Sequence, residues 1–168
     1  DAAQSFGATF ENKKSCSFGN VSATSFYPAK PLGCYGDGGA IFTNESDLYN
    51  IMKSIRVHGE GIDKYHNDRI GLNSRLDTLQ ASVLLEKMNI FDEEVEKRNC
   101  IAKIYTKALK EKYQLQFISD RNISSWAQFS LLANSKEHRE KIIKTLSNNN
   151  IPTSIYYAIP LHLQTAFN

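Results

Sequence analysis

No proline or glycine interrupts residues 76–114. Within that stretch Leu76, Leu79, Val83, Leu84, Met88, Phe91, Val95, Ala102, Tyr105 and Leu109 keep near-helical spacing. The pattern predicts one long amphipathic helix, straight or bent. Lysine and glutamate alternate through 86–112, as on a solvated helix face. A helix of this length is expected to bridge two lobes, so the chain on either side is read separately.

Ahead of the helix, residues to about Asn44 are rich in Gly, Ser and aromatics. Ala23–Tyr27 reads as a buried strand and Gly39–Thr43 as another. Between them the prolines and glycines of 28–39 predict a loop. Asn44–Asp47 reads as a helix start, with Leu48, Ile51, Met52 and Ile55 on one face. Residues 57–75 read as a loop, given Gly59, Gly61 and Gly71 among polar neighbours. After the long helix a smaller α+β unit is expected. Its strands would be Leu115–Ile118, Trp126–Ala133 and a returning Pro152–Tyr157, with a helix over Lys136–Ser147.

The 168 residues suffice for one domain or for pieces of two. Hydrophobic residues at 41% and charged residues at 23% fit a soluble globular protein. A formal net charge of +2 gives no footing for nucleic acid. Cys16, Cys34 and Cys100 have neither metal nor redox spacing, so a reducing cytoplasm is the expected setting. No apolar run reaches the roughly 20 residues of a membrane span, and no basic-then-apolar leader opens the chain. The chain opens directly at Asp1-Ala2-Ala3-Gln4 and stops just after Pro160-Leu161-His162-Leu163-Gln164. It is expected to be an internal stretch of a longer protein.

The chemistry centres on Lys30, which sits between Ala29 and Pro31 just after a predicted strand. Desolvation there would disfavour the ammonium, leaving a neutral amine able to attack a carbonyl. Spacing alone favours a plain surface-loop lysine over this reading. Ser25, five residues earlier, suits a phosphate oxygen or a bond to its own backbone. Gly36, Gly38 and Gly39 permit close backbone approach, a weak phosphate signal by itself. His58 and His66 lack companions with metal-site spacing, so no metal is expected.

Six ordered motifs carry a resemblance. They are Asp1–Gln4, Ser25–Gly33, Gly36–Ala40, Arg56–Gly59, Gly71–Ala81 and Pro160–Gln164. Together they resemble the sugar aminotransferases of the DegT/DnrJ/StrS type, which use pyridoxal 5'-phosphate (PLP). The resemblance implies an α/β protein of PLP-dependent transferase fold type I, the aspartate aminotransferase-like fold with a mostly parallel sheet. Residues 1–75 would be the C-terminal part of the large PLP-binding domain and 76–114 the connecting helix. Residues 115–168 would be part of the small C-terminal α+β domain. Lys30 would form the internal aldimine and later shuttle the proton. Asp1 would pair with the pyridinium nitrogen, Gln4 would contact the ring-oxygen side and Ser25 would bind the phosphate. Asn73 would reach the cofactor phosphate of the neighbouring subunit, because such enzymes are homodimers with shared sites. Arg75, Tyr156 and His162 would face the substrate. Arg75 and Asp77 equally suit an ion pair at the helix start. For Tyr156 and His162 the plainer readings, a buried, hydrogen-bonded tyrosine and a surface histidine, carry more weight.

The implied reaction moves an amino group, from glutamate, onto a nucleotide-linked keto sugar for surface polysaccharide or glycan synthesis. Trp126-Ala127-Gln128 and Arg56-Val57-His58-Gly59 look closest to members acting on UDP-linked 3-keto sugars, a glucuronate derivative among them. Asn73 and Tyr156 depart from that group's glycine and histidine, which leaves 4-keto and dTDP-linked sugars open. Two alternatives stand beside amination: a sugar dehydratase relative, which typically carries histidine where this chain has Lys30, and a non-catalytic regulatory member. The chain alone is expected to be inactive.

Overall fold

The computed structural model describes residues 1–167 and divides into two compact units. The first holds Asp1–Glu111 and Leu115–Ser130; the second holds Lys112–Gln114 and the chain from Leu131 onward.

In the first unit, β1 (Thr9–Phe10) and β2 (Lys13–Lys14) form a tight hairpin. Glu11 and Asn12 at its turn have φ of 48° and 65°. Two positive φ values in succession give the mirror-image turn whose twist matches antiparallel strands. Then come β3 (Ser22–Ser25) and β4 (Gly39–Phe42), paired antiparallel with Ser25 opposite Gly39. Ser22, Thr24 and Phe26 point to the buried side, whereas Ala23 and Tyr27 are exposed. The expected fully buried strand is therefore half-buried, with the period of two that alternating side chains impose.

Helix α1 (Ser46–Arg56) starts after Glu45. Asp47 in its first turn and Lys53 and Arg56 in its last suit the helix dipole. Helix α2 (Thr78–Leu109) is the long helix, about 48 Å at 1.5 Å per residue. It ends before the predicted 114. Leu84, Phe91, Val95 and Ala102 form its buried stripe. Leu79, Met88 and Tyr105, expected on that face, are exposed. Apolar residues surround this helix, and only one stripe of them meets the core. Phe26, Leu32, Cys34, Leu84, Phe91 and Val95 form that core, with Phe6, Ala40 and Leu76 against it. Phe6 links the layers, with ring centroids 5.9 Å from Phe26 and 5.6 Å from Phe91. Each such apolar side chain contributes about 1.5–3 kcal/mol on burial.

The chain continues through β5 (Gln114–Leu115) and β6 (Asn122–Ile123), which joins the free edge of β1. The strand expected over Trp126–Ala133 shrinks to β7 (Leu131–Leu132). Trp126 has φ of 47°, which no strand accommodates. Every named strand pair that the register resolves is antiparallel, so the implied parallel sheet is not built from these strands.

In the second unit α3 (Lys136–Asn148) matches its predicted span. Ser135 Oγ caps it by accepting the His138 N–H at 3.1 Å. The His138 ring stacks on Tyr113 with centroids 5.9 Å apart. The strand expected over Pro152–Tyr157 does not form. Ile155 and Tyr156 there are exposed, without a ladder partner among the described residues. Single turns at Leu161–Leu163 and Thr165–Phe167 follow.

Candidate active site

Lys30 lies at the tip of a loop whose two ends are anchored in the core. Phe26 enters at one end; Leu32 and the fully buried Cys34 enter at the other. The Lys30 N–H donates to the Tyr27 carbonyl at 2.8 Å and closes the turn. The Cys34 N–H returns to the Phe26 carbonyl at 2.8 Å. Gly33 is required inside: a Cβ there would lie 2.6 Å from the Pro28 carbonyl oxygen. Lys30 is half-buried. None of the seven ion pairs among the described residues includes it.

Ser25 stands at the end of β3, and its Oγ accepts the Tyr27 N–H at 3.2 Å. This is the local backbone bond open to any serine in a turn. It uses a lone pair and leaves the O–H to give. Ala2 is bonded to the same strand. The Ala2 N–H donates to the Ala23 carbonyl at 2.7 Å, and Thr24 Oγ1 donates to the Ala2 carbonyl at 3.1 Å. Asp1 is exposed, with Oδ1 accepting the Ala3 N–H at 2.8 Å. The Gln4 side chain is exposed too, while its carbonyl accepts from Ser125 Oγ at 3.2 Å. Ala2 is thus fastened to β3, which ends at Ser25 and leads into the Lys30 loop.

The glycines after Lys30 do not form an open phosphate cradle. A Cβ on Gly38 would lie 2.9 Å from Cys34 Sγ and 3.0 Å from Leu76 Cδ1, so that space is filled by protein.

Asn73 and Arg75 come from an arm after α1 that crosses itself. The His58 N–H donates to the Leu72 carbonyl at 2.8 Å, and the Asp68 N–H to the Gly59 carbonyl at 2.9 Å. Gly59 has φ of +75° at the crossing. Val57 bridges to Asn73, whose Oδ1 accepts from Arg75 Nη2 at 2.9 Å. Both side chains are exposed, and Arg75 pairs with Asn73, not with Asp77. On the same arm, Asp63 is held below its ordinary value of 3.8, first by the Tyr65 N–H and then by the His66 side chain.

Tyr156 and His162 belong to the second unit and are exposed. The tyrosine is therefore not the buried, hydrogen-bonded one that its simplest reading required. Among the described residues no group of three His, Cys, Asp or Glu side chains could hold a metal, and no helix is long and apolar enough to cross a membrane.

Sequence reasoning missed residues that fasten this region. Arg98 Nη2 donates to the Pro31 carbonyl at 3.2 Å, Lys87 Nζ to the Gly33 carbonyl at 2.5 Å, and Gln80 Oε1 accepts the Tyr35 N–H at 2.7 Å. Asn99 Oδ1 accepts from Trp126 Nε1 at 3.0 Å, and its amide donates to the Ser124 carbonyl at 2.9 Å. The available signal was polar side chains in register with the apolar stripe of α2.

The model of the DegT/DnrJ/EryC1/StrS aminotransferase family matches residues 1–168. The UDP-2-acetamido-2-deoxy-3-oxo-D-glucuronate aminotransferase of Pseudomonas aeruginosa is 47% identical over 167 residues, which cover 99% of this chain and 45% of that protein. A DegT DnrJ EryC1 StrS aminotransferase from Brucella abortus superposes with a TM-score of 0.94 at 50% identity, over 99% of this chain and 44% of its own. S. venezuelae DesV, solved in complex with a ketimine intermediate, superposes with a TM-score of 0.91 at 32% identity, over 99% and 44%. The chain thus spans about 45% of the length of the curated relatives it matches. Its α/β fold, carried through the whole described chain, and the full-length family match lead to one conclusion: the chain belongs to the DegT/DnrJ/EryC1/StrS aminotransferase family.

Proposed function

We propose that this chain is part of an enzyme that moves an amino group from glutamate onto a nucleotide-linked keto sugar, with PLP carried on Lys30. One observation carries the reading: a lysine outside every ion pair, on a core-locked loop that follows the strand ending at Ser25, with Ala2 of the Asp1–Gln4 segment bonded to that strand. The donor set fits the cofactor. Lys30 offers an amine, Ser25 an unused O–H for a phosphate oxygen, Asp1 an exposed carboxylate for the ring nitrogen and Gln4 an exposed amide for the ring-oxygen side. When bound, PLP supplies an electron sink at the reacting centre. The chain's own part is to hold that group and to move a proton: Lys30 Nζ takes it from one carbon and returns it to another.

Residues 1–75 are read as the C-terminal part of the large cofactor-binding domain, 76–114 as the connecting helix and 115–168 as part of the small domain. Asn73 serves the phosphate of a second subunit in a homodimer. The keto sugar is UDP-linked and carries a carboxylate, as the name of the Pseudomonas relative supports. Arg75 receives that carboxylate with the guanidinium donors left over from Asn73. Tyr156 and His162 face the sugar. The setting is cytoplasmic and the product feeds surface polysaccharide. The isolated chain is inactive.

The test is incubation of the full-length protein with glutamate, PLP and a UDP-linked 3-keto sugar acid. Amino sugar and 2-oxoglutarate in equal amounts are expected. Loss of a sugar hydroxyl without amination would point to a dehydratase, and failure to bind PLP would end the enzyme reading.

A further inference from the structure

We infer that Gln80, Lys87 and Arg98 are positioning residues that aim Lys30 from the far side of its loop. The inference rests on Lys30 being the reacting amine. Along α2 these side chains are spaced by seven and eleven residues, so they return to one face of the helix, shared with Leu84 and Phe91. A half-buried lysine and arginine in a core stripe cost desolvation and need strong partners. Their partners are the backbone carbonyls of Pro31 and Gly33, which bracket buried Leu32. Gln80 closes the set by accepting the Tyr35 N–H. Lys87 Nζ also lies 5.8 Å from the Tyr35 ring centroid, and Arg98 is steadied by Glu94 at 3.8 Å. Three consecutive fastenings, at residues 31, 33 and 35, hold the peptide planes that follow Lys30. Shape alone would have been met by apolar residues here. Paired cations on carbonyls fix the orientation of those planes instead, and with it the direction of the Lys30 stem.

The test uses the full-length protein with Lys87→Met, Lys87→Arg and Gln80→Ala. Three readouts are taken: the rate at which PLP becomes attached to Lys30, followed by absorbance; kcat and KM; and hydrogen exchange at the Cys34 and Tyr35 amides. Misplacing a reacting group by about 1 Å costs up to roughly 100-fold in rate. Lys87→Met should therefore slow attachment and lower kcat by about 10- to 100-fold, with KM for the keto sugar unchanged. Lys87→Arg, which keeps a donor, should recover most of the loss. Gln80→Ala should speed exchange at Tyr35. The inference is overturned if Lys87→Met attaches PLP at the parent rate with unchanged kcat, or if Lys87→Arg is as impaired as Lys87→Met. If the parent attaches no PLP at Lys30, the functional reading has failed instead. Exchange at Cys34 and Tyr35 then decides the fastening, and unchanged protection in the variants sinks it.

Discussion

Replacing Gly59 with alanine should open the arm that carries Asn73 and Arg75. A Cβ at Gly59 would lie 1.7 Å from the Arg69 carbonyl oxygen and 2.6 Å from its carbon. Both are backbone atoms, so no side chain can swing aside. Ordinary contact needs about 3.5 Å, so residues 69–71 of the arm must retreat by roughly 2 Å. That breaks the crossing bonds, from the Asp68 N–H to the Gly59 carbonyl at 2.9 Å and from the His58 N–H to the Leu72 carbonyl at 2.8 Å. Two bonds at about 1 kcal/mol each, with about 1 kcal/mol more for alanine at positive φ, total about 3 kcal/mol. At 1.4 kcal/mol per tenfold, that is about 100-fold faster amide exchange across 66–74. The assay compares those amides with the middle of α2, which should not change. Gly71→Ala, whose Cβ would lie 1.9 Å from the Gly59 nitrogen, should behave alike. Parent-like protection of 66–74 in Gly59→Ala would refute the reasoning.

Asn99→Ala removes the acceptor of Trp126 Nε1 and the donor to Ser124, and should cost about 2–3 kcal/mol, read from the denaturant midpoint. A midpoint shift worth less than about 0.5 kcal/mol would mean the Trp126 turn stands without it. Asp63 should titrate below 3.8, because hydrogen bonds to its carboxylate depress the folded value. A depressed carboxyl stabilises the folded arm above its unfolded value and loses that contribution as pH falls through the folded one. The Tyr65 amide resonance should therefore move in that acid range, and Asp63→Asn should abolish that movement. A midpoint at or above 3.8 contradicts the bonding.

Much of the architecture was legible because it rests on period and punctuation. The long helix announced itself by the absence of Pro and Gly through 76–114, and α3 by its apolar spacing over 136–147. The Gly39–Phe42 strand was bounded by turn residues. What failed depended on distant partners. Pro152–Tyr157 has strand composition but no neighbouring edge, and β-pairing needs one. Trp126 adopts positive φ, and its indole is held by Asn99, 27 residues away. Of the candidate site, the loop that carries Lys30 was readable, and so was the strand ahead of it that ends at Ser25. The helix side of that loop was not, because a Lys or Arg in a helix usually means solvent. Only the fold turned Lys87 and Arg98 toward Pro31 and Gly33.

The central claim is that Lys30 carries the cofactor, and one measurement addresses it directly. Full-length protein is loaded with PLP, reduced with borohydride so that the cofactor stays on the amine that holds it, digested and mapped by mass spectrometry. The account predicts the added mass on Lys30, and none in the Lys30→Ala variant. Label on another lysine such as Lys87, or no specific label at all, would contradict it.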